Sequence, residues 1–360
     1  MKIALLAPVW FPVPPNGYGG VERVVSFLAE CLSTRGHDVT LFASGDSTAN
    51  ASLCSAYGEA QTARLGSLIP ELNHALACFE QADGFDVVHD HTGLMGAALA
   101  GATQTPVVNT IHWAVEGEVA EILRRAASVH PMLRLVSVSR SQQRADLMLP
   151  WFANCPNAIR LDDYPFSHSR GDYLLFLGRI DPSKGPQHAI AVAKEAGLPL
   201  VIAAKMHAPD ECSFFEEAVR PQLGNGIDFV GEVGQDEKVR LLQGARALLF
   251  PIEWEEPGAL VLLEAMACGA PVVGTRRGCV PEMVADGRTG IVVDDPSEMA
   301  AALKRLDEIN PGACRAHVAA HFSAERLTDD YEAVYEAVLA DETSASTWAA
   351  ARSSAGASNR

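Results

Sequence analysis

Between residues 253 and 284 the chain reads EWEEPGALVLLEAMACGAPVVGTRRGCVPEMV, and this stretch holds the carboxylates best placed to do chemistry. Its pattern predicts a helix entered at about Gly258 to Leu260, closed by Gly269, with Pro271 opening the next strand. Glu264 falls inside that apolar helix, where a carboxylate is costly unless it is paired or hydrogen-bonded. A ribose diol would satisfy it, because one carboxylate accepts two adjacent hydroxyls; an ion pair with an arginine would satisfy it as well. Glu256 stands just before the helix, beside backbone amides that attract a phosphate or sugar oxygen. Read alone, it is a first-turn acid stabilising the helix terminus, with Glu253 and Glu255 as neighbouring alternatives.

The second candidate is GRIDPSKG at residues 178–185, which follows the run YLLFL and precedes a helix starting near Pro186. Arg179 and Lys184 leave the end of that strand together, where they could neutralise a diphosphate gaining charge as it departs. Two solvated loop cations would look the same. GYGG at 17–20 follows the first strand and precedes a helix from Val21, a weak phosphate- or sugar-loop signal without the G-x-G-x-x-G pattern. His112, in NTIHW, ends a strand where it could hydrogen-bond a sugar hydroxyl or accept a proton, although a lone histidine is often structural. His89 and His91, in HDH, have strand spacing but no third metal ligand in the sequence around them.

Short Val/Ile/Leu runs alternating with helical patterns must position these groups. They predict strands at 2–7, 38–43, 86–89, 106–111 and 133–137, then at 173–177, 199–203, 227–230, 247–250, 271–274 and 289–293. Each half opens with a strand and a glycine-bearing loop before a helix, which implies an α/β chain of two doubly wound domains. The break falls in 154–166, NCPNAIRLDDYPF, where Pro156, Pro165 and polar turn residues interrupt the periodicity. The expected division is 1–160, 161–325, a closing helix at 326–342 and a Ser/Ala-rich, frayed tail at 343–360. Ligands of such sheets lie beyond the carboxyl ends of the strands, so the active site is expected in the cleft between the two domains.

Composition narrows the function. At 360 residues, 48% hydrophobic and 20% charged, the chain has the make-up of a two-domain globular protein. Its 28 basic and 45 acidic residues give a net charge of -17, which disfavours nucleic acid and anionic lipid as partners. The 8 cysteines show no C-x-x-C or zinc spacing and read as core residues in a reducing compartment. MKIALLAPVWFPVPP reads as a buried first strand rather than a signal peptide, and a cytoplasmic location is expected. No G-x-G-x-x-G with an acid about 20 residues on is present, which argues against a dehydrogenase.

These signals become specific together. From YGGVERVV through RIDPSKG to EEPGALVLLEAMACGAPVV, over about residues 1–340, the chain resembles the retaining nucleotide-sugar glycosyltransferases of family 4, which have the GT-B fold. The resemblance implies that Glu264 holds the nucleotide ribose, Glu256 the donor sugar hydroxyls, and Arg179 with Lys184 the diphosphate. It implies further donor contacts from Gly258, Ala259 and Leu260 and from the Gly19 and Gly20 loop, with His112 beside the reacting sugar. No cofactor or metal is expected; the partners are a nucleotide-sugar donor and a hydroxyl acceptor. The runs STRGHDVTLFASGDS, IAAK at 202–205 and LLFPIEWEEP resemble a bacterial subgroup, which favours UDP-glucose as donor.

Two positions depart from the family pattern. Glu256-Pro257-Gly258-Ala259 replaces the common Glu-Pro-Phe-Gly, which bears on the backbone contacts to the sugar. Pro156-Asn157-Ala158 replaces Pro-Asn-Gly, so a positive backbone angle at Ala158 would be strained. The alternatives are a non-catalytic sugar-nucleotide-binding protein and a membrane-associated transferase acting on a lipid-linked acceptor. For the latter, the cluster Arg124, Arg125, Arg134, Arg140 and Arg144 could meet lipid, a phosphorylated acceptor or only solvent.

Overall fold

A computed structural model describes residues 1–357, with side chains through residue 341. Seven strands form the first sheet: β1 (Lys2–Leu6), β2 (Asp38–Phe42), β3 (Ser52–Cys54), β4 (Val87–Asp90), β5 (Val107–Ile111), β6 (Leu133–Ser137) and β7 (Trp151–Asn154). Six form the second: β8 (Tyr173–Arg179), β9 (Leu200–Lys205), β10 (Ile227–Gly231), β11 (Ala245–Phe250), β12 (Val272–Thr275) and β13 (Gly290–Val293). The orders are β3-β2-β1-β4-β5-β6-β7 and β10-β9-β8-β11-β12-β13, parallel throughout. Strand order reverses between β1 and β4 and again between β8 and β11, so each sheet opens a crevice beside its first strand.

All eleven expected strands are present, and β3 and β7 are additional. Both lie at edges of the first sheet, where few residues need be apolar on both faces. The interior strands are covered on two sides: Val107–Ile111 and Val87–Asp90 are buried at every position. Helix Gly20–Thr34 packs Val24, Val25, Leu28 and Leu32 against Ile3 and Leu5, the spacing of one helical face.

The closing helix, Ala324–Ala357, returns to the first sheet. Leu327, Tyr331, Val334, Tyr335 and Val338 recur at helical spacing and join the cluster of Ile3, Val24 and Leu28. Arg35 adds ion pairs to Asp329 at 2.6 Å and Glu332 at 2.5 Å. The chain therefore crosses between sheets twice, near Ile159 and near Ser323. The crossings touch: the Ile159 amide donates to the Phe322 carbonyl and the Ala324 amide to the Ile159 carbonyl, each at 3.0 Å. Of the tail expected at 343–360, residues 358–360 lie outside the described residues, and the backbone before them continues the helix. No helix among the described residues is long and apolar enough to cross a membrane.

Candidate active site

The carboxyl ends of β8 and β9 place two cations side by side, since Arg179 and Lys205 are register partners. Arg179 reaches Glu211 at 3.5 Å; Glu211 is fixed in turn by the His207 and Ala208 amides at 2.8 and 3.1 Å. Lys205 is buried, with Tyr18 stacked beneath its ammonium at 4.3 Å, and burial lowers its pKa. After β8, Asp181 accepts from the Ser183 amide and shapes the short turn Pro182–Lys184. That turn delivers Lys184 to Glu256, with the Trp254 ring 4.7 Å from its ammonium.

Glu256 lies in the loop between β11 and helix Leu260–Cys268, its backbone pinned from the next crossover. The Cys279 amide donates to the Glu256 carbonyl at 2.8 Å, and the Gly278 amide to the Glu255 carboxylate at 2.7 Å. Gly278 has φ +49°, and a Cβ there would overlap the backbone N and O of Glu256. Glu264, one turn into the helix and buried, accepts from Tyr164 and Lys238, each at 2.6 Å. Burial pushes its carboxyl up, but the Lys238 charge and these hydrogen bonds outweigh that and hold it below the ordinary carboxylate value.

The first sheet supplies the facing wall. The loop after β1 carries Gly19 and Gly20, and Gly20 sits where a Cβ would be 3.5 Å from Leu260. Tyr18 donates its amide to Glu232 across the cleft at 3.3 Å. His112 follows β5, its Nε2 2.8 Å from Nδ1 of His91, and burial pushes its pKa down to about 4. His112, Arg179, Lys184, Glu256, Glu264, Gly19, Gly20, Gly258, Ala259 and Leu260 all line one cavity of about 390 Å³ between the sheets.

Comparison with known families matches residues 18–154 to "Glycosyltransferase Family 4" and residues 165–311 to "Glycosyl transferases group 1", one per sheet. The chain belongs to the group 1, family 4 glycosyltransferases. It is 27% identical to a glycogen synthase of Mycobacterium tuberculosis over 89% of each chain. It is 29% identical to a phosphatidyl-myo-inositol mannosyltransferase of Propionibacterium freudenreichii, covering 86% of this chain and 87% of that one. A solved structure, AviGT4, a glycosyltransferase involved in avilamycin A biosynthesis, matches with TM-score 0.69 and 25% identity over 95% of this chain and 98% of that one. The two sheets are thus the two Rossmann-like domains of the GT-B fold, and a member of the group transfers a sugar from a nucleotide-sugar.

The glycosyltransferase cleft also holds residues that single-segment reading misses. Glu264 is paired not with an arginine but with Lys238, from helix Gln235–Gly244, whose mostly polar sequence reads as a solvated face. Lys205 ends its strand as Arg179 does, and that position is the signal that could have found it. The departures are also accommodated. Ala158 is buried and has no positive φ, because Asn225 is the one non-glycine residue with positive φ among those described; the expected strain is absent. At Gly258, a Cβ would come within 2.7 Å of Nδ2 of Asn157, so Asn157 fills the space beside the missing side chain.

His89 has both nitrogens engaged, with Tyr335 at 2.7 Å and Thr110 at 2.9 Å, leaving none for a metal. No group of three metal-binding side chains occurs among the described residues. Four of the clustered arginines have acidic partners: Arg124 with Asp146, Arg125 with Glu121, Arg134 with Asp341 and Arg144 with Glu282.

Glu22, on the first turn of helix Gly20–Thr34, is a carboxyl buried in the cleft wall. Burial lifts its pKa from 4.5 to about 7, against weaker pulls from its own amide and Lys205. The folded chain then keeps a proton that the unfolded chain releases between pH 4.5 and about 7, so stability declines as pH rises through that window, by on the order of 3 kcal/mol. Glu22→Gln is expected to flatten that decline and raise the melting temperature at pH 8. Melting curves with the same pH dependence in both proteins would show that the carboxyl is solvated.

Proposed function

We propose that this glycosyltransferase moves a hexosyl group, glucose, from UDP to an acceptor hydroxyl with retention of anomeric configuration and without a divalent metal. The observation that carries the reading is the convergence of Arg179, Lys184, Glu256, Glu264 and His112 on one cavity between the two sheets. UDP is favoured by the subgroup resemblance of the IAAK and LLFPIEWEEP runs. The alternative of a lipid-linked acceptor draws little support from the arginine cluster, four of whose five members are already paired.

In this reading Arg179 and Lys184 stabilise charge growing on the departing diphosphate, and preorganised charge is worth most at that moment. Lys184 has three N–H donors and Glu256 about four acceptor sites, so their mutual pair leaves capacity for phosphate and sugar hydroxyls. Glu256 orients the sugar, and Glu264 with Lys238 and Tyr164 forms the ribose end. The bond from the anomeric carbon to the phosphate oxygen breaks while the acceptor oxygen attacks from the same face. The departing phosphate takes the acceptor proton, so no protein nucleophile is needed.

A thermal-shift panel of nucleotide sugars, followed by product analysis with the strongest binder, tests the reading. Binding without transfer to any hydroxyl acceptor and without donor hydrolysis would favour the non-catalytic alternative. Calorimetry then separates the two glutamates: Glu264→Gln should weaken UDP itself, whereas Glu256→Gln should spare UDP and damage transfer from the intact donor. Equal UDP losses in variants that melt normally would defeat that division.

Activity is also expected to survive dialysis against EDTA. The sequence has no Asp-x-Asp pair, and a hard cation needs such oxygen ligands near the diphosphate. Arg179, Lys184 and the start of helix Leu260–Cys268 supply positive potential instead. Loss of turnover on chelation, with recovery on adding magnesium or manganese, would overturn the metal-free mechanism.

A further inference from the structure

His91 stands behind His112, their ring planes 23° apart and their centroids 5.1 Å apart. It has no exposed surface, and its Nδ1 is the atom facing Nε2 of His112 at 2.8 Å. Its other nitrogen, Nε2, is buried without a partner. Below it, His89 lies at 4.1 Å between centroids, fully occupied by Tyr335 and Thr110. Burial lowers the pKa of all three rings, so each is neutral near pH 7 and carries one N–H.

One hydrogen lies between His91 and His112, and its owner decides what His112 offers the cleft. If His112 donated it, the single N–H of His91 would sit on Nε2, a buried donor with nothing to receive it. If His91 donates it, the unpartnered atom is a bare acceptor. Among buried backbone groups, orphaned N–H donors are rarer than under-satisfied acceptors, and that preference favours the second arrangement. We propose that His91 is a positioning residue: it donates from Nδ1 to Nε2 of His112 and fixes His112 as the Nδ1–H tautomer, a hydrogen-bond donor toward a donor-sugar or phosphate oxygen. His112 is then not the base that takes the acceptor proton. The consequence for catalysis rests on the nucleotide-sugar reading of the cleft; the tautomer does not.

Two-bond ¹H–¹⁵N correlation spectra of the full ¹⁵N-labelled chain near pH 7.5, assigned with His112→Asn, read the tautomer directly. The expected result is a protonated Nδ1 and a bare Nε2 on His112; the reverse overturns the proposal. His91→Phe keeps a ring of similar bulk but removes the donor. It should release the tautomer and lower kcat roughly 10-fold, about one hydrogen bond, with less effect on donor KM. His91→Asn returns an amide N–H close to the position of Nδ1 and should restore most of the turnover. Unchanged kcat in His91→Phe, or no rescue by His91→Asn at equal melting temperature, also overturns it. Because the spectra need no substrate, a chain that shows the expected tautomer but transfers no sugar would reject the transferase reading and leave the assignment standing.

Discussion

Lys184→Met and Arg179→Ala are each expected to lower turnover by roughly 100-fold or more, the scale seen when one preorganised group facing developing charge is removed. Both cations come from the end of β8 and its following turn, and both line the cavity that holds Glu256. Their benefit grows as the phosphate departs, so the loss should appear in kcat at saturating donor rather than in KM alone. Lys184→Met should be the more severe, because it also leaves Glu256 without its cation in a half-dry wall. Steady-state kinetics on the two variants checks this. Near-native kcat in both would remove the loop from the mechanism.

A comparable loss is expected from a residue with no chemistry of its own. In Gly278→Ala the new Cβ would strike backbone atoms of Glu256, and the left-handed φ adds roughly 1–2 kcal/mol for any L side chain. Backbone cannot yield as a side-chain tip can, so the 255–256 segment must shift, and misplacement by about 1 Å costs on the order of 100-fold in rate. Turnover should fall by that order while the melting temperature drops by several degrees. A variant with native kcat would show that the position of Glu256 is not set by this contact.

How much of this was open to sequence depends on whether a signal is local. Arg179 and Lys184 are legible because strand, turn and charge occur within one short segment, and Glu264 because a carboxylate inside LVLLEAMAC has no local explanation. Its true partner is Lys238, 26 residues earlier on a different helix, and no periodicity links the two. The contact between His91 and His112 depends on two adjacent parallel strands, which neither segment announces. Strands β3 and β7 escape for another reason: a sheet edge with one solvated side does not demand a continuous apolar run. The anticipated strain at Ala158 does not occur, because the backbone there has no positive φ.

The paired crossings at Ile159 and Ser323 bear on how the cleft can open. A body tethered by one flexible linker can swivel in any direction and meet its neighbour in many orientations. A body tethered by two chain segments hydrogen-bonded side by side is more constrained against twisting and sliding. The same arrangement makes the closing helix a joint component. Cutting the chain before Ala324 would strip Leu327, Tyr331 and Tyr335 from the first domain's core and free the second to swivel in the same stroke.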